Sequence, residues 1–254
     1  MFALENALIY RLVRASEEWF APPNDRVQDV TLHGADGTRL HAWWCPRDGA
    51  DGAVLYCHGN AGNLSHRGGA VAKWQESLNL SLLIFDYPGY GKSAGRPGEA
   101  GCYAAADAAF DWLTHQAAVP PERVVIYGSS LGGAVAVETA RRRPHRALVL
   151  VSAFTSIPDM AQKFYPWLPV RWFVRSRFDN LAKIGQCAGP VFIAHGDADA
   201  LVPFAHGQRL FAAAHEPKAF WPMKGYDHND PPGPDFYHAL RDFLVRVESR
   251  TVSG

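Results

Sequence analysis

Charge of one sign is not in surplus in this chain. Its 25 Lys and Arg balance 25 Asp and Glu, and no basic block is dense enough to follow a phosphate backbone, so nucleic acid is not an expected partner. The one compact basic run, Arg141, Arg142 and Arg143, falls where a helix should end and where cations meet exposed carbonyls. Cysteine is scarce and unpaired in pattern. Cys45, Cys57, Cys102 and Cys187 show no Cys-x-x-Cys spacing, and Cys57 sits in an apolar run, which favours buried reduced thiols over bridges or a zinc site. There is no internal repeat, low-complexity tract or Ser/Gly-rich linker, so one domain over residues 1–254 is expected. The first residues, MFALENALIYRLVRASEEWF, lack a basic segment ahead of their apolar part and carry Glu5, Arg11 and Arg14. Neither a secretory leader nor a membrane span is expected there, and the expected location is the cytoplasm. Leu4, Leu8, Leu12 and Ala15 share one helical face, which predicts an amphipathic helix over 1–22 docked on the domain. Peripheral contact with a bilayer through that helix is the less favoured alternative.

What the chain does have is enough apolar material, 48% of residues, to bury a large core. From Val27 onward short β-like runs alternate with longer helical stretches, the pattern of helices covering a mostly parallel sheet. QDVTLHG and RLHAWWC, separated by Ala35, Asp36 and Gly37, predict an antiparallel hairpin. AVLYCHG, LLIFDYPG, RVVIYGSS, ALVLVSAF and PVFIAHGD are nearly continuous apolar runs, as expected of strands buried on both faces. Each ends in glycine or polar residues, and in open α/β sheets ligands bind beyond such strand ends. Between two of these runs, Phe154 to Phe178 gathers Tyr165, Trp167, Trp172 and Phe173 among prolines 158, 166 and 169. It predicts a short aromatic cap whose Tyr165, Trp167 and Trp172 line an apolar substrate portion; ordinary packing of a connecting segment is the alternative.

The chemistry centres on Gly128-Ser129-Ser130-Leu131-Gly132, a Gly-x-Ser-x-Gly between the strand run VVIY and the helical run GGAVAVETA. A sharp strand-to-helix turn presents Ser130 at a helix N-terminus, and there the Leu131 amide and the positive helix end favour a negatively charged intermediate. For an acid, PVFIAHGDADALVP offers Asp197 and Asp199. Asp199 lies beyond the turn begun by Gly196, and Asp197 is placed to cap that turn, although both can serve as turn formers. For a base, His228 stands in the loop GYDHND after the strand-like run AFWPM, whereas His206 and His238 fall in helical stretches and are expected on the surface. An imidazole with a pKa near 6.5 suits removal of a serine proton at neutral pH. Two apparent motifs carry nothing. GYGKS at Gly89–Ser93 has Asp86 where a phosphate-binding loop needs its first glycine, and no His-x-x-x-His or thiolate pair supports a catalytic metal.

Together HGNAGN, DYPGYGKSAGRP, GSSLGG, HGDADALVP and GYDHND resemble the α/β-hydrolase family, and more closely its BEM46-like branch, over residues 28–245. The resemblance implies an α/β-hydrolase fold with an eight-stranded, mostly parallel sheet and helices on both faces. It implies a triad of Ser130, Asp199 and His228, no cofactor and no metal, and an oxyanion hole made by the Leu131 and Asn60 amides. His58 precedes the serine, outside the family order of serine, acid and histidine, and is expected to hold its loop by a side-chain hydrogen bond. Members of that branch resemble esterases and depalmitoylating thioesterases. The cysteine-rich N-terminus of the eukaryotic depalmitoylating members is not present in MFALENALIYR. The expectation is a serine hydrolase that cleaves a small-molecule ester or thioester. A small serine peptidase, or a non-catalytic binding protein on the same scaffold, are the alternatives.

Overall fold

The computed structural model describes residues 9–164, 167 and 174–252. The hairpin forms as its turn residues require: β1 (Gln28–His33) pairs antiparallel with β2 (Arg39–Cys45), Val30 opposite Ala42. The following strands are β3 (Ala53–Cys57), β4 (Ser81–Phe85), β5 (Val124–Ser129), β6 (Ala147–Val151), β7 (Val191–Gly196) and β8 (Lys218–Met223). They build one eight-stranded sheet in the order β1-β2-β4-β3-β5-β6-β7-β8. Every pair from β4 to β8 is parallel, and the two pairs made by β2 are antiparallel.

Side-chain alternation sorts each central strand onto two faces. On β3, Leu55 and Cys57 join Ile126, Leu148 and Ile193 under helices α2 (Glu99–His115) and α3 (Leu131–Arg142). Val54 and Tyr56 join Val125, Tyr127 and Phe192 under α1 (Gly68–Leu78) and α7 (Pro234–Val252). Both faces are dry, which is why these strands read as unbroken apolar runs. The remaining described helices are α4 (Ile157–Phe164), α5 (Asn180–Ile184) and α6 (Phe204–Ala213). All four cysteines are buried and free, and burial pushes the Cys45, Cys102 and Cys187 thiols up to about 12. Arg141 and Arg142 close the last turn of α3, and Arg142 and Arg143 also tie it to α2 through Asp107 and Asp111. Among the described residues no helix is long and apolar enough to cross a membrane.

The chain runs from β3 to β4 on one side and then crosses to β5 on the other, so the order reverses above β3 and β5. In open α/β sheets a reversal of this kind is where ligands bind, beyond the carboxyl ends of the strands.

The expected helix over residues 1–22 is corrected where it is described. From Tyr10 onward the backbone is not helical: Leu12 and Arg14 make isolated parallel bridges to Gly62 and Gly91, and the Ala15 amide donates to the Gly91 carbonyl at 3.0 Å. A short isolated helix is marginal in water, and loop backbone groups with open valences offer this segment a better set of partners. Leu4 and Leu8 lie outside the described residues.

Candidate active site

Ser130 occupies the turn between β5 and α3 with φ 52° and ψ −117°, a conformation that a non-glycine residue seldom adopts. Its neighbours explain how the turn closes. A Cβ on Gly128 would lie 2.2 Å from the Gly132 carbonyl oxygen, and one on Gly132 would lie 2.0 Å from that of Cys57. Helix α3 therefore reaches β3 and β5 only because both positions lack side chains. Gly132→Ala is expected to lower stability by about 3 kcal/mol, because the Cβ meets strand backbone rather than a movable side chain. A denaturant midpoint near that of the wild type would contradict this packing argument.

Asp199 follows β7. Its Oδ1 accepts from the amides of Leu201 at 3.0 Å and Val202 at 2.7 Å. Its Oδ2 lies 2.8 Å from His228 Nδ1, and His228 Nε2 lies 3.1 Å from Ser130 Oγ. A carboxylate only accepts, so Nδ1 carries the proton and Nε2 of the neutral ring is free to accept from the serine hydroxyl. Burial works against the charged form of Asp199. The neighbouring His195 ring, together with hydrogen bonding from His228 and the Val202 amide, outweighs it and holds the carboxyl well below the usual carboxylate range.

The loop carrying His228 is laced to the loop carrying Asp199 by contacts that no sequence signal marked. Asp227 Oδ1 accepts from the Ala200 amide at 2.8 Å and from the His228 amide at 2.7 Å. Asp197 is expected to cap its own turn; instead its Oδ1 accepts from the Gly225 amide at 2.6 Å, because β8 delivers the His228 loop alongside. The buried His195 ring donates from Nε2 to the Val202 carbonyl at 2.8 Å and stands 3.4 Å from Asp199 Oδ2.

On the other side of Ser130 lies the loop after β3. A Cβ on Gly59 would come within 3.7 Å of Ser130 Cβ, so the backbone at Gly59 and Asn60 borders the serine. His58 is fully buried and anchors this loop: its Nδ1 donates to the Gly59 carbonyl at 2.7 Å, and its Nε2 stands 3.4 Å from the buried Asp86 carboxylate. Because carbonyl and N–H of one trans peptide point opposite ways, holding the Gly59 oxygen also orients the Asn60 N–H. Leu131 is the first residue of α3, so its N–H has no acceptor within the helix.

The family model described as α/β hydrolase fold matches residues 52–181. The chain belongs to the α/β-hydrolase fold family. This hydrolase-fold chain is 43% identical over 225 residues to the uncharacterized protein Rv2307c of Mycobacterium tuberculosis, covering 87% of the chain and 80% of that protein. It is 31% identical over 226 residues to α/β hydrolase domain-containing protein 17B of Xenopus laevis, covering 85% of the chain and 74% of that protein. In structure it is similar to the Pyrococcus furiosus esterase Pf2001, with a TM-score of 0.76 at 21% identity, covering 93% of this chain and 98% of that one.

Within this α/β-hydrolase fold the helix after β6 is tied to the loop that carries Asp199. Lys163 on α4 donates to the carbonyls of Ala200 at 2.7 Å and Leu201 at 3.0 Å, which directly follow Asp199. Trp167 is 74% exposed, and Tyr165 and Trp172 lie outside the described residues. His206 was expected on the surface and is buried instead. Its Nδ1 lies 2.8 Å from Thr155 Oγ1, because that turn of α6 faces the end of β6 rather than solvent. His238 is exposed. Among the described residues no three His, Cys, Asp or Glu side chains group so as to hold a metal ion.

Proposed function

We propose that this chain is a serine hydrolase of the BEM46-like branch that cleaves carboxylic esters or thioesters, within enzyme class 3.1. The observation that carries the reading is the unbroken line from Ser130 Oγ to His228 Nε2 at 3.1 Å and from His228 Nδ1 to Asp199 Oδ2 at 2.8 Å. Beside that line stand the N-terminus of α3 and the loop carrying Asn60.

In this mechanism His228 takes the hydroxyl proton as Ser130 Oγ attacks the carbonyl carbon, and Asp199 steadies the imidazolium that forms. The Leu131 and Asn60 amides donate to the oxyanion of the tetrahedral intermediate. Its collapse breaks the bond to the alcohol or thiol, which receives the proton from His228, and leaves an acyl-serine. Water, deprotonated by His228, then attacks the acyl-serine; the bond to Ser130 Oγ breaks, His228 returns the proton to that oxygen, and the carboxylic acid is released. No step needs a cofactor, because side chains and backbone supply nucleophile, base and charge stabilisation. Trp167, beside the cap helix α4, is proposed to contact the acyl portion, for which an apolar surface is suited.

The test is turnover by the purified protein of p-nitrophenyl acyl esters of increasing chain length, acyl thioesters and aminoacyl anilides, together with fluorophosphonate labelling. Labelling at Ser130 with esters or thioesters turned over faster than anilides is the expected result. Faster anilide cleavage would transfer the chain to the peptidases, and no labelling with no turnover would leave a binding protein.

A further inference from the structure

We infer that residues 9–15 form a strap that positions the oxyanion donor, acting through the carboxamides of Asn60 and Asn63; this rests on the serine hydrolase reading above. Nothing in the proposed chemistry uses either carboxamide, yet HGNAGN carries both. Their partners explain them.

Asn60 Oδ1 accepts from the Arg11 amide at 3.0 Å and from the Tyr90 hydroxyl at 2.8 Å, while its Nδ2 donates to the Ile9 carbonyl. Two residues on, the Gly62 amide donates to the Arg11 carbonyl and the Gly62 carbonyl accepts from the Val13 amide, both at 3.3 Å. Asn63 Nδ2 then donates to the carbonyls of Val13 at 3.2 Å and Glu18 at 3.0 Å. On its other side the strap meets the loop after β4: the Gly91 amide donates to the Val13 carbonyl and the Ala15 amide to the Gly91 carbonyl, each at 3.0 Å. The strap is thus wedged between the two loops that leave β3 and β4.

The asparagines read the backbone of the strap, not its side chains. That matters because the loop they belong to is rich in glycine. It contains Gly59 and Gly62, the latter at φ 78°, and such a loop keeps a donor in register only if something outside it does the holding. His58 fixes the peptide preceding the Asn60 nitrogen, and the strap fixes the Asn60 side chain on the other side of the same Cα. With both held, the N–H cannot swing away from Ser130. An oxyanion exists only in the transition state and its neighbouring intermediates, so loosening this clasp reduces kcat and leaves ground-state binding of the ester intact.

The experiment uses the full chain and a p-nitrophenyl acyl ester. Asn60→Ala keeps the backbone donor and removes all three carboxamide contacts. Arg11→Pro deletes a single strap N–H, and Tyr90→Phe deletes one hydroxyl, so these two decide the matter where Asn60→Ala does not fold. The expected result is a fall in kcat of about 100-fold for Asn60→Ala, with smaller falls for the other two and KM within about twofold of the wild type. Affinity for an alkyl boronic acid, which forms a tetrahedral adduct on the serine, should fall in parallel, a change that loss of packing alone would not produce. Wild-type kcat in folded Asn60→Ala and Arg11→Pro overturns the strap and leaves the triad reading standing. A rise in KM at constant kcat overturns it too, by making the loop a substrate-binding element. A wild-type protein inert towards every ester and to fluorophosphonate removes the hydrolase reading, and the strap with it.

Discussion

Ser130→Ala is expected to lower kcat on an acyl ester by about 10⁶-fold, the scale on which an acyl-transfer site loses rate without its nucleophile. The whole loss should appear in turnover and none in folding. Alanine occupies the same backbone at φ 52° with the same Cβ, and the change removes the single hydroxyl contact to His228. Melting temperature and far-UV circular dichroism should match the wild type. Activity surviving within tenfold of the wild type would mean that another group attacks the carbonyl, and the turn at Ser130 would then be strained to no catalytic end.

Asp199→Asn should be the next most damaging change, at about 10⁴-fold in kcat. The reasoning is one of proton placement. The carboxylate compels His228 to carry its proton on Nδ1; an amide in its place can offer an N–H to Nδ1, which leaves the proton on Nε2 and nothing there to accept from Ser130. The Leu201 and Val202 amides still find an oxygen acceptor, so the loop should keep its shape. Stability supplies a second readout. The folded carboxyl titrates below its unfolded value of about 3.9, so its stabilising contribution is complete above that pH and is lost as pH falls through the lower folded value. The wild type's advantage in melting temperature over Asp199→Asn should hold from about pH 7 to 5 and shrink below about pH 4. An advantage that grew on acidification would reverse the assigned direction.

Much of this was legible in the order of residues. Five apolar runs became the five strands β3 to β7, because a strand dry on both faces has no polar position to break its run. The glycines at 128 and 132 were legible as marks of a tight turn, though only coordinates show that they admit the Cys57 and Gly132 carbonyl oxygens. The segment from Tyr10 to residue 22 was misread, and the reason is physical. A stripe of Leu and Ala at helical spacing records which residues could share a face, whereas this backbone found hydrogen-bond partners at Gly62 and Gly91, distant in sequence. His206 was misread in the same way: a helix has a buried face as well as an exposed one, and which face a given histidine takes depends on the strand beneath it.

By itself the sequence determined the sheet, the strained turn at Ser130 and the short set of acids and histidines from which partners could be drawn, since each is a matter of local pattern and backbone sterics. Only the tertiary structure decided that Ser130, Asp199 and His228 share one hydrogen-bonded line and that the strap grips Asn60 and Asn63. Those contacts join residues 29 to 98 positions apart, and distances of that kind are set by how strands pack side by side, which no local pattern encodes.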